Sequence, residues 1–107
     1  MSSKVIQQLN DKLRTTFTGG RVLLTRGVRF RPVEDVREIL YKVQHFSDFN
    51  EDNDPYEEHD FGKFAFKDDV IMWKIDYYAP DMQFGSEDPS DPTKTVRVLT
   101  IMTSEEY

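Results

Sequence analysis

The sequence predicts an α+β fold in a single domain over residues 1–107, a mostly antiparallel sheet of about four strands with two helices on one face, in the order α-β-α-β-β-β. Two segments repeat their apolar residues every three or four positions, and four others are β-branched, aromatic or alternating. No linker or internal repeat divides them. At 107 residues the chain is long enough for one hydrophobic core but not for two.

The first helix is expected over residues 3–17, where Ile6, Leu9, Leu13 and Phe17 form the apolar stripe and Gly19-Gly20 ends it. Arg21–Phe30, RVLLTRGVRF, reads as a strand with Gly27 as a bend or bulge. Pro32 opens the second helix, with Glu34 and Asp35 in its first turn and Lys42 and His45 toward its end, charges that suit the helix dipole. Its stripe is Val33, Val36, Ile39, Leu40, Val43 and Phe46. Phe61–Phe66 and Val70–Tyr78 alternate as two strands joined by a tight turn at Asp68-Asp69. Ile71, Trp73, Ile75 and Tyr77 share one face of the second of these, and Tyr78 lies on the other with Lys74 and Asp76. A long loop with three prolines precedes the last strand, Thr95–Thr103.

Charge is segregated along the chain. Lys12 to Pro32 holds six basic residues and no acid, whereas residues 47–60, SDFNEDNDPYEEHD, hold seven carboxylates and no lysine or arginine. Residues 80–93 add Asp81, Glu87, Asp88 and Asp91, again without a base. The net charge of −6 opposes general affinity for nucleic acid or anionic membranes. Eight Phe, five Tyr and one Trp argue for a folded core rather than a disordered acidic chain. There is no cysteine, so no disulfide, thiolate ligand or thiol nucleophile is available. No eighteen-residue apolar run occurs and the amino terminus lacks a secretion signature, so the chain is expected in the cytoplasm.

The acidic block invites a calcium reading, because Asp48, Asn50 and Asp52 match the first, third and fifth positions of an EF-hand loop. The match then fails at Asn53, where the turn needs Gly, and at His59, where a bidentate Glu is needed. An irregular cation site formed by Asp54, Glu58, His59 and Asp60 is the alternative that would make the chain a metal-binding protein or metal-dependent enzyme. His59 among carboxylates is otherwise a loop histidine bonded to a neighbour. No serine lies in a nucleophile-elbow turn, and no catalytic residue is assigned. Arg21, Arg26, Arg29 and Arg31 with Phe30 form an alternative nucleic-acid surface over Arg21–Arg31; the competing reading pairs these arginines with the acidic loops, within the fold or across a dimer.

Four segments, FTGGRVLLTRGV, NDPYEEHDFG, WKIDYY and GSEDPSDPTKTVRVLTIM, together resemble a family of small bacterial proteins known as domain of unknown function 3768. The resemblance implies a setting in alphaproteobacteria, often on plasmids and other mobile elements. It supplies no catalytic residues.

These readings converge on a small acidic binding protein without catalytic activity or cofactor. The partner-binding residues are expected to be Asp48, Glu51, Asp52, Asp54, Glu57, Glu58 and Asp60, with Glu87, Asp88 and Asp91, and Tyr56 and Tyr78 are candidate aromatic contacts. The expected partner is a basic protein surface. A nucleic-acid-binding host defence complex fits, since carboxylates on a rigid scaffold can occupy a groove built for phosphates, in the manner of an anti-CRISPR protein. Direct binding of nucleic acid or membrane is not favoured. A homodimer is compatible with the segregated charge.

Overall fold

A computed structural model describes residues 2–107. The elements run α1 (Ser2–Thr16), β1 (Arg21–Leu24), α2 (Arg26–Arg29), α3 (Val33–Gln44), β2 (Phe61–Phe66), β3 (Asp69–Tyr78) and β4 (Val96–Thr103), followed by a 3-10 turn at Ser104–Glu106. The order is therefore α-β-α-α-β-β-β, an α+β fold with two main helices. The four strands form one mixed sheet in the order β1-β4-β3-β2, antiparallel except for β1 against β4.

The register sorts side chains into two faces. Val22, Leu99, Ile75, Ile101, Trp73 and Ile71 point to one side, where Leu13 of α1, Val28 of α2, and Ile39 and Val43 of α3 pack onto them as a single core. Trp73, Leu13, Ile39 and Val43 are wholly buried there. Burying an aliphatic side chain of this size stabilises the fold by about 1.5–3 kcal/mol, so this inner face supplies most of what holds the sheet to its helices. The outer face carries Lys74, Asp76 and Tyr78 beside Val98 and Thr100. No α-helix among the described residues lines the groove of 420 Å³ that runs across it between Leu23 and Met82, with Glu106 of the 3-10 turn beside it.

Four expectations need correction. Arg21–Phe30 is not one strand: β1 ends at Leu24 and Arg26–Arg29 turns into helix. The cause lies far away in sequence. The Glu106 carboxylate accepts hydrogen bonds from Thr25 Oγ1 at 2.5 Å and from the Gly27 N–H at 2.8 Å, and Val28 drops into the core. Gly27 is needed because a Cβ there would lie 2.7 Å from the Glu106 carboxylate. Secondly, α1 stops before the two glycines: Phe17 itself takes the left-handed conformation, φ 57°, and its N–H bonds the Leu13 carbonyl. Thirdly, the hairpin turn falls one residue early, at Lys67-Asp68, with Lys67 at φ 53° and Phe66 paired with Asp69. Lastly, Val33 is exposed, while Asp35 is buried by its contacts with Lys67 at 2.7 Å and Arg31 at 3.7 Å.

Topology places the arginines that follow β1 and the acidic block at opposite ends of the sheet, while Arg14 lies beneath the block. Arg31 binds Asp69, the first residue of β3, at 2.8 Å. The acidic block instead meets the far end of that strand, where Tyr77 donates to Glu58 at 2.8 Å and the Ile75 N–H bonds the Asp60 carbonyl.

Candidate functional site

The acidic block is a shaped loop with its own internal frame. Asn50 and Asn53 close it reciprocally: Asn50 Oδ1 accepts the Asp52 and Asn53 N–H groups, and Asn53 Oδ1 accepts that of Asn50. Asn amides compete readily for local backbone donors, which is why they favour such turns. Asn50, the third EF-hand position, is thus spent on the loop itself. Asp54 is buried and accepts the His59 N–H at 3.0 Å. Glu57 and His59 both hold left-handed backbone, φ 56° and 55°, a strain of about 1–2 kcal/mol each for non-glycine residues that the surrounding contacts offset.

Those contacts centre on His59. Its ring stacks flat on Phe49, centroids 3.8 Å apart, and its Nδ1 lies 2.9 Å from the Asp11 carboxylate of α1. Phe49 and Phe46 both meet Trp73 edge to face. Arg14, buried beneath them, donates to the carbonyls of Val43, Gln44 and Phe46 at the end of α3 and to Asp11. A cation at a helix C-terminus satisfies carbonyls that lack an intrahelical partner. His59 is a structural link from the loop to α1.

A second buried network joins the two acidic loops. Asn10, fully buried in α1, donates to the Glu58 carbonyl at 2.9 Å and to the Tyr77 hydroxyl at 2.8 Å, and its Oδ1 accepts from Arg97 Nε at 2.8 Å. Arg97 in turn donates to the Pro89 carbonyl in the second loop and stacks over the Tyr77 ring. Burial lowers the Arg97 pKa, and no carboxylate among the described residues pairs with it. Burial also raises the Tyr77 pKa, reinforced by the bond to Glu58. The hydroxyl therefore stays protonated as a donor.

The ten predicted acidic residues divide by role. Asp48, Glu51, Asp52, Glu57 and Glu87 are exposed; of these only Glu87 has a cationic partner among the described residues, Lys94 at 3.5 Å. Asp54 and Glu58 are consumed by the frame. Asp88 accepts from the Ser90 backbone and hydroxyl, and Asp91 likewise from Thr93, bonds that lower the Asp91 pKa. Asp60 is half-buried, and its pKa is raised by burial and by the neighbouring charge of Glu58, then of Asp54 and Asp76. Tyr56 is 77 % exposed at the rim of the block, whereas Tyr78 lies half-buried on the outer sheet face. A groove of 560 Å³ opens in the block, lined by Phe49, Pro55 and His59 together with Asn50, Glu51, Asp54 and Glu57.

The alternative metal set does not assemble. Asp54 faces His59, Glu58 takes the Tyr77 hydroxyl, and among the described residues no three His, Asp or Glu side chains converge on a common point. Nor do Arg21, Arg26, Arg29 and Arg31 line one strand: Arg21 sits on β1, Arg26 and Arg29 on α2, and Arg31 turns inward to Asp69 and Asp35. Asn10, Asp11, Arg14 and Arg97 support the site and were not anticipated. Two carried a signal: Asn10 falls on the α1 stripe between Ile6 and Leu13, and Arg97 occupies an inward position ahead of Leu99 and Ile101. A polar residue at an apolar position marks a buried hydrogen-bonding hub.

No helix among the described residues is long and apolar enough to cross a membrane. No curated protein and no solved structure matches the chain. The sequence profile of one family, described as a protein of unknown function (DUF3768), matches residues 24–106, from the last residue of β1 through the Glu106 that clamps α2. The chain belongs to the DUF3768 family.

Proposed function

We propose that this is a non-catalytic protein-binding domain that engages a basic partner through its acidic end. The observation that carries the reading is the contrast within the block: Asp54, Glu58 and His59 are bound into the fold, while Asp48, Glu51, Asp52 and Glu57 are exposed without a cationic partner among the described residues. Like charges held close repel one another, and a preset surface meets a partner with little further loss of conformational entropy. Arg97 ties the Pro89 loop, with exposed Glu87, to the same frame. The partner class that fits is a cytoplasmic protein with an arginine- or lysine-lined groove built for nucleic acid, whose phosphates present a charge about every 1.7 Å of duplex axis. A host defence complex is the proposed target, which would make the chain a mobile-element inhibitor of the anti-CRISPR kind. The test is capture of partners by tagged chain from its native host, comparing wild type with Asp48→Asn/Glu51→Gln/Asp52→Asn/Glu57→Gln. A basic protein retained by wild type, released by salt and absent from the variant supports the reading. An unchanged set of captured proteins rejects it.

A further inference from the structure

The opposite end of the molecule presents a surface complementary to the acidic groove. Phe30, at the end of α2, is 70 % exposed, an unusual position for so large an apolar ring. The guanidinium carbons of Arg29 and Arg26 lie 4.9 and 5.9 Å from its ring centroid. Neither arginine has a carboxylate partner among the described residues. Val33, three residues further on, is also 61 % exposed. The result is an aromatic knob with a basic rim. Its counterpart is the 560 Å³ groove, lined by the rings of Phe49, Pro55 and His59 and by the carboxylates of Glu51, Asp54 and Glu57.

Within one copy the two cannot meet. α2 is clamped to Glu106 beyond the end of β4, and the chain following it is tied to Asp69. The acidic block is tied to Tyr77, eight residues further along β3, roughly 26 Å away along an extended strand. We propose that the chain associates with itself head to tail, the Phe30 knob of one copy seated in the acidic groove of the next. Two different surfaces then meet, so the interface is heterologous and an open assembly keeps one free knob at one end and one free groove at the other. Charge complementarity selects a second copy over nucleic acid: duplex-binding footprints pair about 6–10 phosphates, whereas the knob offers two unpaired arginines on a chain of net charge −6. Self-association covers the acidic groove and so competes with a basic partner. This goes beyond the proposed function, and either can fail while the other stands.

Sedimentation velocity of the full chain over a range of concentrations tests it. At low ionic strength the average mass rises above 12.6 kDa with concentration; at about 1 M salt, where the Debye length is about 3 Å, it returns to the monomer. The knob variant Phe30→Ala and the groove variant Glu51→Gln/Glu57→Gln each remain monomeric, but their equimolar mixture forms a species of twice the monomer mass, because one intact knob meets one intact groove. All changed side chains are exposed, and circular dichroism checks folding; Arg26→Ala/Arg29→Ala is a second knob variant that leaves the ring in place. A monomer under all conditions, self-association that survives both changes, or variants that fail to complement each other overturns the proposal. So does retention of a single-stranded oligonucleotide by wild type that is lost in Phe30→Ala, which would assign the knob to nucleic acid. Partner capture that persists in a chain proved monomeric leaves the proposed function intact.

Discussion

Arg97 illustrates how one buried side chain fixes a distant surface. It reaches Asn10 on one side and the Pro89 carbonyl on the other, and stacks on the Tyr77 ring between them. Replacement by Met keeps much of the volume but leaves Asn10 Oδ1 and the Pro89 carbonyl without their donor. An unsatisfied buried acceptor costs about 1–3 kcal/mol, so Arg97→Met should lower the free energy of urea unfolding by that order, and should open residues 80–93 to limited proteolysis. Glu106 acts at the same scale by pH. Burial alone would raise its pKa above the ordinary 4.5, but bonds from the Thr25 hydroxyl, the Thr103 and Gly27 N–H groups and the Thr103 hydroxyl outweigh that and hold it at about 2. A depressed carboxylate contributes stability that is fully present above 4.5 and is lost as pH falls through about 2. The melting-temperature gap between wild type and Glu106→Gln should therefore be largest above pH 4.5 and close as the pH approaches 2.

At the scale of elements, periodicity made α1, α3 and strands β2 to β4 legible to within two residues. Helices and strands of ten or so residues declare the face they bury. What stayed hidden was decided by contacts remote in sequence. RVLLTRGVRF carries the residue types of a strand, yet it turns after Leu24 because Glu106, about 80 positions away, supplies acceptors for Thr25 and Gly27. Gly62 reads as an unremarkable strand residue, but it sits on the inner face opposite Trp73. A Cβ there would lie 2.5 Å from Trp73 Nε1 and 2.8 Å from Phe46. Gly62→Ala should destabilise the fold by about 1–3 kcal/mol through overpacking, read as a lower thermal midpoint with little change in the exposed acidic side chains. The acidic block was legible as a loop of carboxylates, but not as two populations. Burial of Asp54 and the turn of Glu58 onto Tyr77 follow from packing against α1 and β3, which spacing along the chain does not reveal.

At the scale of the whole molecule, the segregated charge of the sequence becomes a polarity of the fold. Glu58 and the Pro89 loop are held where β3 ends and β4 begins, and the arginines of α2, without a carboxylate partner among the described residues, stand beyond the other end of the sheet. Part of the basic segment is internal: Arg14 caps α3 and Arg31 binds Asp69 and Asp35, none of them in the acidic loops, while Arg26 and Arg29 have no carboxylate partner among the described residues. Binding through the exposed carboxylates is the central claim. Its most direct measurement is the affinity of the captured basic partner as a function of salt, for wild type and for the variant neutralised at Asp48, Glu51, Asp52 and Glu57. The expected result is a steep loss of wild-type affinity with rising salt, with the variant weaker at low salt and its slope flattened. Equal affinities and equal slopes for the two proteins would contradict it.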